Sequence, residues 1–216
     1  QHHILKFYPS YLSRILWVDS SHGHSGSEVE NFVWTYLKTD DTFVDIGANI
    51  GTVTLEASKK IGNGGKVFSF EPTLKIFEFL KGNVQHNNCK NVKLYDLALG
   101  EKSSEIYFSN NFADEANSIQ YEKKGTLVQM KTLDEIIPSN LKIDLMKIDV
   151  AGYEKFVFIG AEKTLKNTAC IHFPAIETFY KKYGYTYKDV FNILKIQNFL
   201  IYQILSDKTV KLLDAD

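Results

Sequence analysis

The residues FVDIGANIGTVTLEASKK, positions 43–60, leave few folds open to this chain. A β-branched and aromatic apolar run ends near an acid, Asp45; Gly47, Asn49 and Gly51 follow at every second position, and an amphipathic segment starts directly after them. The apolar run reads as a strand, the glycines as a tight turn, and the following period as a helix. Such a unit belongs to an open sheet of parallel strands covered by helices, in which ligands sit outside the carboxyl ends of the strands.

The rest of the chain keeps this rhythm. Strands are expected at 43–47, 66–71, 92–97, 143–149 and 169–173, with helices at about 50–61, 74–87 and 153–166 between them. GNGG at 62–65 ends the first of these helices and feeds the second strand. Residues 100–133 break the pattern: SEIYFS and TLVQMKTL alternate as antiparallel strands do, around a polar loop, and predict an inserted hairpin. The C-terminal stretch reads as a helix, a strand, a turn at 206–208 and a last strand. Upstream, EVENFVWTYL predicts a helix that leads into the first strand, and SSHGHSGS at 20–27 a polar loop.

A chain of 216 residues, 44% hydrophobic, can bury one sizeable core. Its net charge of -1 supplies no cationic excess for a phosphate backbone, so nucleic acid is not the expected partner. Two cysteines, Cys89 and Cys170, have neither metal-ligand spacing nor the density of a disulfide scaffold, which points to a reducing, cytoplasmic setting. No apolar run approaches the roughly 20 residues that span a bilayer, and the N-terminus lacks a signal-peptide pattern. The first residue is Gln1, which suggests removal of an upstream segment.

The turn itself discriminates between ligands. Glycines permit its tight geometry and let a ligand approach the backbone, while the next helix offers free N–H groups. A dinucleotide site uses G-x-G-x-x-G with the pyrophosphate on the helix N-terminus. Here the spacing is Gly47-x-Asn49-x-Gly51, and Asp45, two residues earlier, would repel a phosphate. A ligand with a cationic amino group and no phosphate fits better, as S-adenosylmethionine does. Glu71 ends KVFSFEP, 20 positions after Gly51, where a carboxylate can accept hydrogen bonds from two ribose hydroxyls. That feature suits NAD and S-adenosylmethionine alike.

FVDIGANIG, VFSFEP, LALG, TLDEI and KIDVAGYE, in this order and at these separations, resemble the FkbM family of S-adenosylmethionine-dependent methyltransferases, over residues 28 to about 177. The resemblance implies a Rossmann-like class I methyltransferase fold: an α/β domain at 43–216 with a mostly parallel seven-stranded sheet, helices on both faces and a C-terminal antiparallel hairpin. Residues 1–42 become a helical and loop extension over the active site. By position, Asp45, Gly47, Asn49 and Gly51 would surround the methionine part of the cofactor and Glu71 would hold the ribose. Asp96 and Leu97 would border the adenine, and Asp149 would face the methyl group and the substrate. Glu28, Asn117 and Ser118 fall where the family has polar residues near the pocket. The family usually reads DVEG where this chain has Ala151, and its acid near the end of the fifth strand has Glu177 as the nearest counterpart.

The implied reaction is methyl transfer to a hydroxyl of a sugar or other small molecule, with no metal. A hydroxyl acceptor must lose its proton, and Asp149 is the first candidate to assist; the bland alternative is that Asp149 caps the helix after it. His22 and His24 read as loop histidines more than as a lid over the acceptor. His172, inside an apolar strand, reads as a hydrogen-bonded core histidine. The aromatic segment FYKKYGYTY could stack on a flat acceptor or form the apolar face of a helix. Competing readings are a non-catalytic S-adenosylmethionine-binding protein, for which Ala151 speaks, and an N-methyltransferase of nucleic acid, against which DVAGY stands in place of an N/D-P-P-aromatic motif. An NAD-dependent oxidoreductase is disfavoured by the glycine spacing.

Overall fold

The apolar runs at 43–47, 66–71, 92–97, 143–149 and 169–173 do pair, and all in parallel. The computed structural model describes residues 28–108, 119–120, 125–205 and 209–213. Helix α1 (Glu28–Tyr36) leads into β1 (Thr42–Ile46), α2 (Thr52–Ile61), β2 (Lys66–Phe70), α3 (Leu74–His86) and β3 (Val92–Tyr95). After an inserted segment come β8 (Leu145–Ile148), the short helices α4 (Glu154–Ile159) and α5 (Glu162–Leu165), and β9 (Ile171–His172). Then follow α6 (Glu177–Lys181), α7 (Tyr187–Ile196) and a terminal hairpin of β10 (Tyr202–Ile204) and β11 (Val210–Leu212). The sheet order is β3-β2-β1-β8-β9.

Side chains on these strands alternate between two buried faces. Val44, Ile46, Phe68, Phe70, Met146 and Ile148 pack with Val157, Phe158, Leu165, Val190 and Leu194 of α4, α5 and α7. Phe43, Val67 and Leu145 face the other way, against Val33 and Leu37 near α1 and Val53, Ala57 and Ile61 of α2. Each such side chain contributes about 1.5–3 kcal/mol on burial. Helix α3 packs Phe77, Leu80 and Val84 against Ala48 and Leu55.

The seven-stranded sheet expected from the resemblance differs here in one respect. Hydrogen bonding among the described residues joins five strands, and the C-terminal hairpin pairs only with itself. Strand β9 is two residues long, and one residue beyond it comes Pro174, which has no N–H to extend a ladder. The insert is larger than a hairpin: β5 (Ser104–Phe108) pairs antiparallel with β7 (Thr126–Lys131) and with β6 (Ile119–Gln120), while β4 (Ala98–Leu99) runs parallel to β7. The single helix expected at 153–166 divides into α4 and α5 near Gly160.

Register places four polar residues in line. Asp45 aligns with Ser69 on one side and Lys147 on the other, and Lys147 aligns with His172. Aligned residues of parallel strands share a face, so Ser69, Asp45, Lys147 and His172 form a row near the carboxyl end of the sheet, on the side of α1 and α2.

Candidate functional site

A cavity of about 370 Å³ opens at the carboxyl edge of β1, β2 and β8, and Gly47, Asn49, Glu71, Leu97, Asp149 and Tyr153 are among its lining residues. Its size is within the range of small-ligand sites. The turn after β1 forms its floor. Gly47, Asn49 and Gly51 all adopt the left-handed conformation, with φ of 76°, 50° and 93°. The glycines serve the packing of the turn more than ligand approach. A Cβ on Gly47 would stand 2.0 Å from the Asp149 carbonyl oxygen, and one on Gly51 would stand 2.5 Å from Leu80 Cδ1. Of the two, only Gly47 lines the cavity.

Asp45 lies beneath the cavity rather than in it. It is fully buried, accepts a 2.6 Å hydrogen bond from Thr54 Oγ1, and has Lys147 Nζ 3.1 Å from its second oxygen, close enough for an ion pair though not aligned as a hydrogen bond. Thr54 Oγ1 also lies 2.8 Å from Ser69 Oγ. Lys147 Nζ donates to the Gly47 carbonyl at 2.6 Å, so one buried cation ties the acid to the turn. Burial works to lower the Lys147 pKa, but Asp45, Asp149 and Glu71 outweigh it and hold the group above its ordinary value. The expected contact of Asp45 with a ligand's amino group is thus taken by Lys147. Lys147 was missed at the sequence level, although a lone charge within the apolar run LMKI was the signal.

Glu71 follows β2 and is 7% exposed. Its two oxygens accept hydrogen bonds from the backbone N–H of Asn49, at 3.1 Å, and of Thr73, at 2.9 Å. Each carboxylate oxygen has a further lone pair, and the side chain lines the cavity, so it can still accept from a diol. Burial raises its pKa against the lowering effect of these N–H groups and of Lys147. A carboxylate fixed in this way, beside a glycine turn and an apolar wall from Ile76, Leu97 and Leu99, fits the ribose of S-adenosylmethionine and an apolar slot for its base.

Asp149 lines the mouth of the cavity and is exposed. It does not cap the next helix. Among the described residues the helix has no side-chain cap at all; Glu154, its first residue, turns back to hold the preceding turn, where its Oε1 accepts from the N–H of Val150 at 3.1 Å and of Gly152 at 3.4 Å. Tyr185 Oη donates to the Gly152 carbonyl, and Ala151 and Gly152 take φ of 51° and 97°. Asp149 therefore sits at the start of a turn held from three sides. The aromatic segment lies behind this turn. Tyr180 and Tyr185 are buried and stacked on each other, which leaves them no face for an acceptor.

The remaining expected residues are more scattered. Leu97 lines the cavity, whereas Asp96 is exposed and does not. Glu28 is the exposed first residue of α1, one turn position from the lining residues Val29 and Glu30. Glu177, the first residue of α6, accepts from the N–H of Tyr187 at 3.0 Å. Asn117, Ser118, His22 and His24 lie outside the described residues. Among the described residues no three His, Cys, Asp or Glu side chains gather as a metal site, and no helix is long and apolar enough to cross a membrane.

Glu154 gives the fold a pH signature. It is 1% exposed, its Oε2 has no hydrogen-bond partner among the described residues, and burial raises its pKa. The native state then holds this proton more tightly than the unfolded chain, where a glutamate titrates near ~4.3. Between that pH and the raised folded value the native state carries more bound protons, so this group's contribution to stability falls as pH rises. Thermal melts should show Glu154→Gln gaining on the wild type between pH 4 and pH 7; an unchanged difference would mean that the carboxyl is hydrated.

The sequence pattern of the methyltransferase FkbM domain matches residues 45–201, well over half of the chain. No curated protein matches significantly. Among solved structures, the precorrin-6y C5,15-methyltransferase of Geobacter metallireducens is similar at 14% identity and a TM-score of 0.51, over 87% of this chain and 84% of that one. A proposed rRNA methylase of Clostridium thermocellum is similar at 13% identity and a TM-score of 0.51, over 85% and 95%. At such identities the two structures speak for the fold alone. Together with the glycine turn, Glu71 and the parallel sheet, the domain match establishes that the chain belongs to the FkbM family of methyltransferases, with S-adenosylmethionine as its cofactor.

Proposed function

We propose that this protein transfers the methyl group of S-adenosylmethionine to a hydroxyl of a sugar or another small molecule. The observation that carries the reading is the position of Asp149, an exposed carboxylate at the mouth of the cavity whose floor is the Gly47–Asn49 turn and whose wall is Glu71. The cofactor supplies an electrophilic methyl on a positively charged sulfur. The chain's own residues supply place and direction. Glu71 accepts from the ribose hydroxyls, Gly47 and Asn49 border the methionine part, and Leu97 borders the base. Asp149 receives the hydrogen bond of the acceptor hydroxyl and so turns its oxygen lone pair towards the methyl, which is where a displacement in line gains most. Asp45 and Gly51 act at one remove, Asp45 through Lys147 and Gly51 through its packing on Leu80. Glu28 and Ser118 are assigned to the rim on the family pattern, and Asp96 to the outer edge of the base slot.

Ala151 stands on this turn where the family carries an acid, and it lines the cavity. A methyl group there leaves Asp149 as the carboxylate of the turn that faces the acceptor. The reading is tested by incubating the full chain with methyl-labelled S-adenosylmethionine and a panel of sugar and small-molecule hydroxyls, with an rRNA fragment as control. The expected result is label on an oxygen, reduced about 100-fold by Asp149→Asn. Label on the RNA alone would replace this reading with a nucleic-acid one. Bound cofactor with no transfer to any hydroxyl would favour a non-catalytic binding protein.

A further inference from the structure

The row of polar residues on the sheet does not end at Lys147. His172 is aligned with Lys147 on the outermost strand, at the carboxyl end, and is half-buried. Its ring lies 5.0 Å from that of Phe32 on α1, tilted by 39°. Asp149 follows Lys147 by two positions and so projects to the same side, diagonally across from His172. The charged groups around the imidazole are Lys147 on β8, Asp149 just after β8, and Glu28 on α1. A core histidine would be expected inside the apolar layer; this one closes a polar row whose next member, Lys147, lines the cavity together with Asp149, while the ring of His172 itself stands just outside that lining.

We infer that His172 is a further catalytic residue: the base that takes the proton of the acceptor hydroxyl while Asp149 orients it. This rests on the methyltransferase reading above. In the step, a lone pair of the hydroxyl oxygen forms the new O–CH₃ bond and the S–CH₃ bond breaks with its electron pair left on sulfur. The hydroxyl proton passes to the free imidazole nitrogen, and the imidazolium later loses it to solvent. An imidazole titrates close to neutral pH and so is better matched to this task than a carboxylate. Burial, and then the cation of Lys147, lower the His172 pKa against the opposing pull of Glu28 and Asp149. That direction favours the free-base form of the ring, the form that can accept a proton.

The location is testable without knowing the acceptor. The full chain, labelled with ¹³C-histidine, would be titrated by NMR alone, with S-adenosylmethionine, and with S-adenosylhomocysteine, whose sulfur carries no charge. His172→Gln identifies the resonance, and the exposed His86 is the internal reference. The positive charge of a sulfonium at the reacting centre should lower the His172 midpoint by about half to one pH unit relative to the neutral analogue. His172→Gln should leave cofactor affinity, followed calorimetrically, within about twofold. A midpoint equal for the two cofactors, both shown to bind, would place His172 away from the reacting centre and overturn the inference while leaving the methyltransferase reading intact. A midpoint at or above the ordinary imidazole value would also overturn it. Absence of binding by either molecule would remove both.

Discussion

Replacing Lys147 with methionine should destabilise the protein by about 3–5 kcal/mol, the usual effect of removing one partner from a buried ion pair. Asp45 is fully buried and has Lys147 Nζ 3.1 Å away; without the cation, its charge keeps, among the described residues, the hydroxyl of Thr54 and loses its counterion. For a chain of this length each kcal/mol lowers the melting midpoint by roughly 2–4 °C. A fall of roughly 6–20 °C is therefore expected. The bond from Lys147 to the Gly47 carbonyl would vanish too, so cofactor binding should weaken in the fraction that remains folded. The double variant Asp45→Asn/Lys147→Met should recover much of the loss, because the uncompensated charge is gone. A single variant that melts within about 2 °C of the wild type would mean that the pair is hydrated and that the turn is held by its backbone alone.

The pair also shows where sequence reasoning stops. The strand-turn-helix at 43–60 was legible because hydrophobic period, glycine and helix start agree locally. Its acid was legible as a feature but not as a contact: Asp45 had a cation in reach more than 100 positions away in the chain, and no local pattern says which side chain a parallel register will bring alongside. The surroundings of His172 were illegible in the same way: an imidazole inside ACIHF reads as a core histidine from its apolar sequence neighbours, while its spatial neighbours are Lys147 and Phe32 of α1. Glu154 could have been suspected from its place just after a glycine turn. Its burial could not, because that depends on Tyr185 and the packing of α7 against α4. The hairpin was recognised as antiparallel, yet its detachment follows from the two-residue length of β9, a tertiary outcome.

Glu71 is the residue on which the cofactor site depends most directly. Its oxygens hold the N–H groups of Asn49 and Thr73, and so shape both walls of the ribose slot before any ligand arrives. The two hydrogen bonds that the ribose hydroxyls would donate to this carboxylate contribute about 1.5–3 kcal/mol each. Their loss in Glu71→Ala should weaken binding by about 3 kcal/mol or more, about a hundredfold. Calorimetric titration of S-adenosylmethionine into the wild type and into Glu71→Ala, with NAD as control, is therefore the decisive measurement. The expected result is binding to the wild type, a loss of about a hundredfold in the folded variant, and no binding of NAD. Equal affinity in both proteins, or no binding to the wild type, would contradict it.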